Sequence, residues 1–73
     1  MEQLLSYLVV NLVSQPDKVV ITKKEISEGV LFSVIVAKED LGKVIGRKGK
    51  TISSIRNLLN SIAEKKIIIK IGE

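Results

Sequence analysis

Residues 30 to 37, VLFSVIVA, form a nearly unbroken apolar run inside a chain of only 73 residues. A run of this length, rich in β-branched types, predicts a central β-strand with little water on either face. Everything else in so short a chain must pack around it. Upstream, KVVITKKEI (18–26) reads as another strand, joined to the first by the turn SEG. Its charged middle, Lys23, Lys24 and Glu25, suits a sheet edge. Downstream, KIIIKI (66–71) predicts a last strand. The tight turn makes the first pair antiparallel. The long crossover to the last strand makes the second pair parallel and right-handed.

Three stretches carry helical periodicity. Over residues 2–14 the apolar side chains Leu4, Leu5, Leu8, Val9, Leu12 and Val13 form one stripe. SQPDK then ends that helix, because Pro16 disfavours helical geometry at the residue before it. KEDLGKVI (38–45) reads as a short helix whose Glu39 and Asp40 complement its positive N-terminal end. Gly42 within it costs roughly 1 kcal/mol relative to alanine, and reads as an allowance for close packing. Residues 50–63 place Ile52, Ile55, Leu58, Leu59 and Ile62 at helical spacing. The expected architecture is a single α+β domain over residues 1–73, ordered α-β-β-α-α-β. Its three-stranded mixed sheet is covered by helices on one face. A domain this small buries only roughly 60% of its unfolded surface, so pairing with a second copy is one way to supplement its core.

The composition narrows function. There is no cysteine and no histidine, which removes disulfides, the usual zinc sites and histidine-assisted nucleophiles. Acids are scattered, and Glu39-Asp40 is the only adjacent pair. Neither an enzyme nor a bound cofactor or metal is expected. The opening MEQLLSYLVVNLV has an acid at position 2 and recurrent polar residues, so it reads as neither signal peptide nor membrane span. A cytoplasmic protein is expected.

Charge is localised. Residues 38–56 hold Lys38, Lys43, Arg47, Lys48, Lys50 and Arg56 against Glu39 and Asp40, while the other residues hold six basic and six acidic side chains. The net +4 therefore belongs to one segment, the footprint of a polyanion binder. At its centre stands VIGRKGKT (44–51). A nucleotide-binding phosphate loop, G-x-x-x-x-G-K-S/T, would need glycine where Val44 stands, and would follow a strand rather than a helix. A plain turn between two helices is the bland reading. A backbone clamp is the sharper one. Gly46 and Gly49 let a phosphodiester chain approach, amides at the start of the next helix favour an anion, and Arg47 and Lys48 add attraction to phosphate. Lys50 joins the candidate contacts of the turn, while Lys43 and Arg56 are peripheral phosphate contacts or solvated charges. Val44, Ile45 and Ile52 support a shallow groove for unstacked bases, although Val44 and Ile45 fit the core better. Tyr7 and Phe32, the only aromatics, sit in an apolar stripe and a strand, so no stacking platform is expected. Single-stranded RNA and single-stranded DNA both fit the turn.

The G-x-x-G turn is the mark of KH domains, which clamp about four nucleotides. The longer stretch VAKEDLGKVIGRKGKTISSIRNLL (36–59) resembles the core of small bacterial KH proteins of the KhpA (YlqC-like) type, and the likeness covers almost the whole chain. The resemblance implies a type II KH arrangement, with Gly46, Arg47, Lys48 and Gly49 as an RNA clamp. It further implies a cytoplasmic, RNA-chaperone-like protein of broad RNA binding. Such a protein would pair with itself or with a larger KH partner of the KhpB (Jag/EloR) type, in post-transcriptional regulation and the control of cell elongation and division. The stretch NSIAEKKIII is short for the variable connection beside a type II groove. A protein-interaction module is the alternative, motivated by the polar stripe Ser53, Asn57, Asn60 and Ser61.

Overall fold

The computed structural model describes residues 1–73. Helix α1 (Glu2–Val10) is followed by the strands β1 (Val20–Ile26) and β2 (Gly29–Ile35), the helices α2 (Leu41–Ile45) and α3 (Lys50–Ile62), and strand β3 (Lys66–Gly72). The sheet order is β1-β2-β3, antiparallel then parallel, with β2 in the middle. Gly29 opens β2 at φ 150°, where a β-carbon would overlap the carbonyl oxygen of Lys66 on the adjacent strand. Glycine there lets β2 and β3 close up.

Only 13 of 73 residues are buried, so each core side chain matters greatly to stability. Leu5 and Val9 of α1, Phe32 and Val34 of β2, Val44 of α2 and Leu59 of α3 have no exposed surface. They join three helices to one face of the sheet. Burying a side chain of this kind contributes about 1.5–3 kcal/mol.

Four expectations need correction. Helix α1 stops at Val10, not at residue 14. The Asn11 side-chain amide donates to the Tyr7 carbonyl (2.7 Å), which the Asn11 backbone N–H also reaches (3.2 Å). Leu12 and Val13 still pack against the core, but from a turn, so the apolar stripe outlasts the helix. The segment 38–45 is not one helix. Lys38–Asp40 form a single 3₁₀ turn and α2 has only five residues. Gly42 has no neighbour within 4 Å of where a β-carbon would stand; it serves no close packing. Finally, β2 is buried on one face only. Leu31 and Ser33 are half-buried and Ile35 is exposed, because all the helices lie on the other side.

Candidate nucleic-acid interface

The site grows from the end of α2. Gly46 leaves the helix at φ 79°, ψ 172°, while its N–H still donates to the Gly42 carbonyl (2.8 Å). The chain then makes one tight turn, closed by the Gly49 N–H on the Gly46 carbonyl (3.1 Å). Lys48 lies in the left-handed region (φ 56°, ψ 26°), and Gly49 does too (φ 74°, ψ 14°). A non-glycine residue there costs roughly 1–2 kcal/mol.

The two glycines differ in their reason. A β-carbon on Gly46 would overlap the Thr51 hydroxyl and sit 2.8 Å from the Thr51 amide nitrogen. Gly46 is therefore required by internal packing. A β-carbon on Gly49 would meet nothing within 4 Å. Gly49 supplies only a backbone conformation and an open approach to the start of α3, which no side chain caps.

The cations around it are free. Arg47, Lys48 and Lys50 are exposed. Neither they nor Arg56 form a salt bridge; the two ion pairs of the molecule are Lys43–Asp40 (3.4 Å) and Lys65–Glu25 (3.3 Å). Arg56 donates to the Ser53 hydroxyl (3.2 Å). Ile45 and Ile52 are half-buried beside the turn. Val44 has no exposed surface, so it is a core residue and drops out of the candidate contacts. Lys43 is about half exposed but tied to Asp40.

Asp40 has a role that sequence reading missed. It does not cap α2 with its side chain. It is fully buried, and its carboxylate accepts from the Ser14 N–H (3.0 Å), the Ser14 hydroxyl (2.8 Å) and the Gln15 N–H (3.0 Å). These bonds, the Ser14 amide foremost, hold its carboxyl down to about 2 against the opposing push of burial. Asp40 thus fastens the α1–β1 connection to the base of α2. Glu39 accepts from the Gln15 side-chain amide (3.0 Å). Its own backbone and then that amide lower its carboxyl.

A second missed feature is Asn60. Its side-chain amide donates to the Ile67 carbonyl (3.1 Å) and to the Arg56 carbonyl (2.9 Å), and its oxygen accepts the Ile67 N–H (2.8 Å). The three-residue connection between α3 and β3 is thereby held shut. Ser61 donates to the Leu58 carbonyl (2.6 Å). The polar stripe proposed for partner binding is thus largely engaged within the protein itself. What α1 and α3 expose instead is apolar: Tyr7 is 67% exposed, Leu58 45% and Ile62 59%. Tyr7 stands at a groove of about 420 Å³ with Asn11, Thr51 and Ser54, rather than inside the core stripe.

No helix is long and apolar enough to cross a membrane. A family model described as KhpA/KhpB, KH domain, matches residues 2–71. The chain is 40% identical over 65 residues to a Chlamydia pneumoniae protein named RNA-binding protein KhpA, covering 89% of this chain and 83% of that one. Proteins of the same name from Listeria monocytogenes and Streptococcus pneumoniae are 38% and 39% identical. The first alignment covers both chains completely, and the second covers 99% of this chain and 94% of the relative. No solved structure matches. A match over nearly the full length, on a fold of helices packed on a mixed sheet with a glycine turn between two of them, places this chain in the KhpA/KhpB family of KH domains.

Proposed function

We propose that this protein is a non-catalytic module that holds single-stranded RNA at the Gly46–Gly49 turn. The observation that carries the reading is the open, conformationally demanding bend at Gly49, with Arg47 and Lys48 exposed beside it and unpaired. A sugar–phosphate chain passes over Gly49 toward the start of α3, where backbone amides and the helix dipole favour an anion. Lys50, Lys43 and Arg56 extend the positive field along the flanking helices. Ile45 and Ile52 offer half-exposed aliphatic surface to the bases. Strand β3 adds a polar edge. Ile67 turns its backbone groups outward to Asn60, and Gly72 turns its carbonyl inward to Val36. Alternation along a parallel ladder therefore turns the amide and carbonyl of Ile69 and Ile71 outward, toward base edges. The names of the relatives support RNA as the ligand.

The test is the double replacement Arg47→Asp and Lys48→Asp, read by retention of a labelled single-stranded RNA. Contact with about three phosphates gives a log–log salt slope near −2 for the unaltered protein. The variant is expected to lose binding at moderate salt with an unchanged melting temperature. Wild-type affinity in the variant would mean the turn is not the site. A DNA strand of the same sequence, used as competitor, separates RNA from single-stranded DNA.

The exposed Tyr7, Leu58 and Ile62 favour a second, compatible role: pairing through the α1–α3 side with another KH domain, either a second copy or a KhpB (Jag/EloR) type partner. A dimer presents two clamps and gains avidity. Sedimentation over a concentration range checks this, and a strict monomer with and without such a partner removes it. In this reading the protein works in the cytoplasm as an RNA chaperone, in post-transcriptional control connected with cell elongation and division.

A further inference from the structure

The sheet has a second face that no element of this chain covers. Val30, Phe32 and Val34 point to the helices, so alternation turns Leu31, Ser33 and Ile35 the other way. By strand register, Val20 and Ile26 of β1 and Ile68 of β3 share that outer face. None of the five aliphatic side chains there packs against the core; Val20 is 52% and Ile35 39% exposed. A sheet meant to face water on one side alternates apolar and polar residues. Strand β2 instead carries aliphatics on both faces, and it pairs in parallel with β3. Both features belong to strands covered on both sides.

Charge indicates what the cover is. Lys24, Lys66 and Lys70 rise from the same outer face, all exposed. No carboxylate occupies any of its cross-strand rows. Glu28, in the adjoining hairpin turn, feels Lys66 but accepts the Ser27 hydroxyl at 2.9 Å. A second copy laid on this face would set three lysines against three lysines, so the face is not self-complementary. It also carries no arginine, amide side chain or aromatic ring for reading bases, and at its middle Leu31 lies beside Ile68. These are poor means of holding RNA and good means of holding an apolar surface rimmed with acids.

We propose that the outer face of the sheet docks an acidic amphipathic helix of a partner protein. Its apolar stripe would rest on Leu31, Ile35 and Ile68, and its carboxylates would meet Lys24, Lys66 and Lys70. The result is a helix–sheet–helix sandwich, the usual way such a sheet hides both faces. The surface is separate from the glycine turn and independent of the RNA reading.

The test places a photo-crosslinking amino acid at Ser33 of the full chain in its native cells and identifies the adduct. The expected adduct is a protein segment that is acidic and amphipathic at helical spacing. A synthetic peptide of that segment should then shift the backbone amide signals of Leu31, Ser33 and Ile68 in the purified protein. The double replacement Lys24→Glu and Lys70→Glu should weaken that peptide about tenfold, while leaving the melting temperature unchanged. Adducts only with RNA, adducts only with a second copy, no adduct, or peptide binding indifferent to the two lysines would each overturn the proposal. Loss of RNA binding in the Arg47/Lys48 variant bears on the clamp alone, so the two readings fail separately.

Discussion

The two ends of α2, a helix of five residues, could hardly differ more. At its start, Asp40 is buried and holds Ser14, Gln15 and Lys43 at once. At its end, the glycine turn makes no side-chain hydrogen bond or ion pair and stands open. The closed end fixes where the helix points, and the open end receives what comes from outside. A turn so poor in its own contacts can keep a defined shape only if the elements beside it are held firmly. That is the part Asp40 and the Gly46–Thr51 contact play.

The contrast can be broken most severely inside the turn itself. Gly46→Ala must displace Thr51 and adopt an unfavourable φ, so it is expected to cost about 2–4 kcal/mol in urea unfolding. Gly49→Ala meets no neighbour and pays only for its left-handed backbone, about 1–2 kcal/mol. Equal losses for the two would show that they do not have different tasks. Asp40→Asn comes next, with an expected drop in melting temperature of about 10 °C, since the replacement amide has one acceptor oxygen for three donors. The carboxyl is held at about 2 in the fold against an ordinary value of 3.8. A depressed carboxyl stabilises the fold above its unfolded value and loses that effect as pH falls through its folded value. Stability should therefore decline from about pH 4 toward pH 2, and Asp40→Asn should decline less over that range; parallel acid curves would refute the assignment. The smallest effect sharpens the comparison from the open end. Lys48→Gly removes left-handed strain and is expected to gain roughly 0.5–1 kcal/mol, while RNA retention weakens through the lost charge. A variant that is both less stable and an unaltered binder would contradict the reading of Lys48.

Much of the fold was legible because its signals are local. The apolar run at 30–37 marked the central strand, and the spacing of Ile52, Ile55 and Leu59 marked α3. Connection length alone gave the antiparallel and parallel pairings. The errors share a cause. Helix α1 was read too long because Leu12 and Val13 are apolar for the core's sake, and periodicity cannot tell a helix from the turn that follows it. Gly42 was read as packing because a glycine's neighbours are not written beside it. Tyr7 was read as a stripe residue although its ring faces out.

The sequence by itself determined the order of elements, the pairing of strands, the identity of most of the core and the place of the basic glycine turn. Each of these follows from propensity, periodicity or charge within a few residues. Only the tertiary structure decided which glycine is packed and which is open, that Asp40 is a buried fastening rather than a mere charge at a helix start, and that three scattered lysines share one sheet face. Those outcomes depend on partners far apart along the chain, such as Ser14 and Asp40, 26 residues distant. Where side chains so separated come to rest is set by the packing of the whole, not by any segment of it.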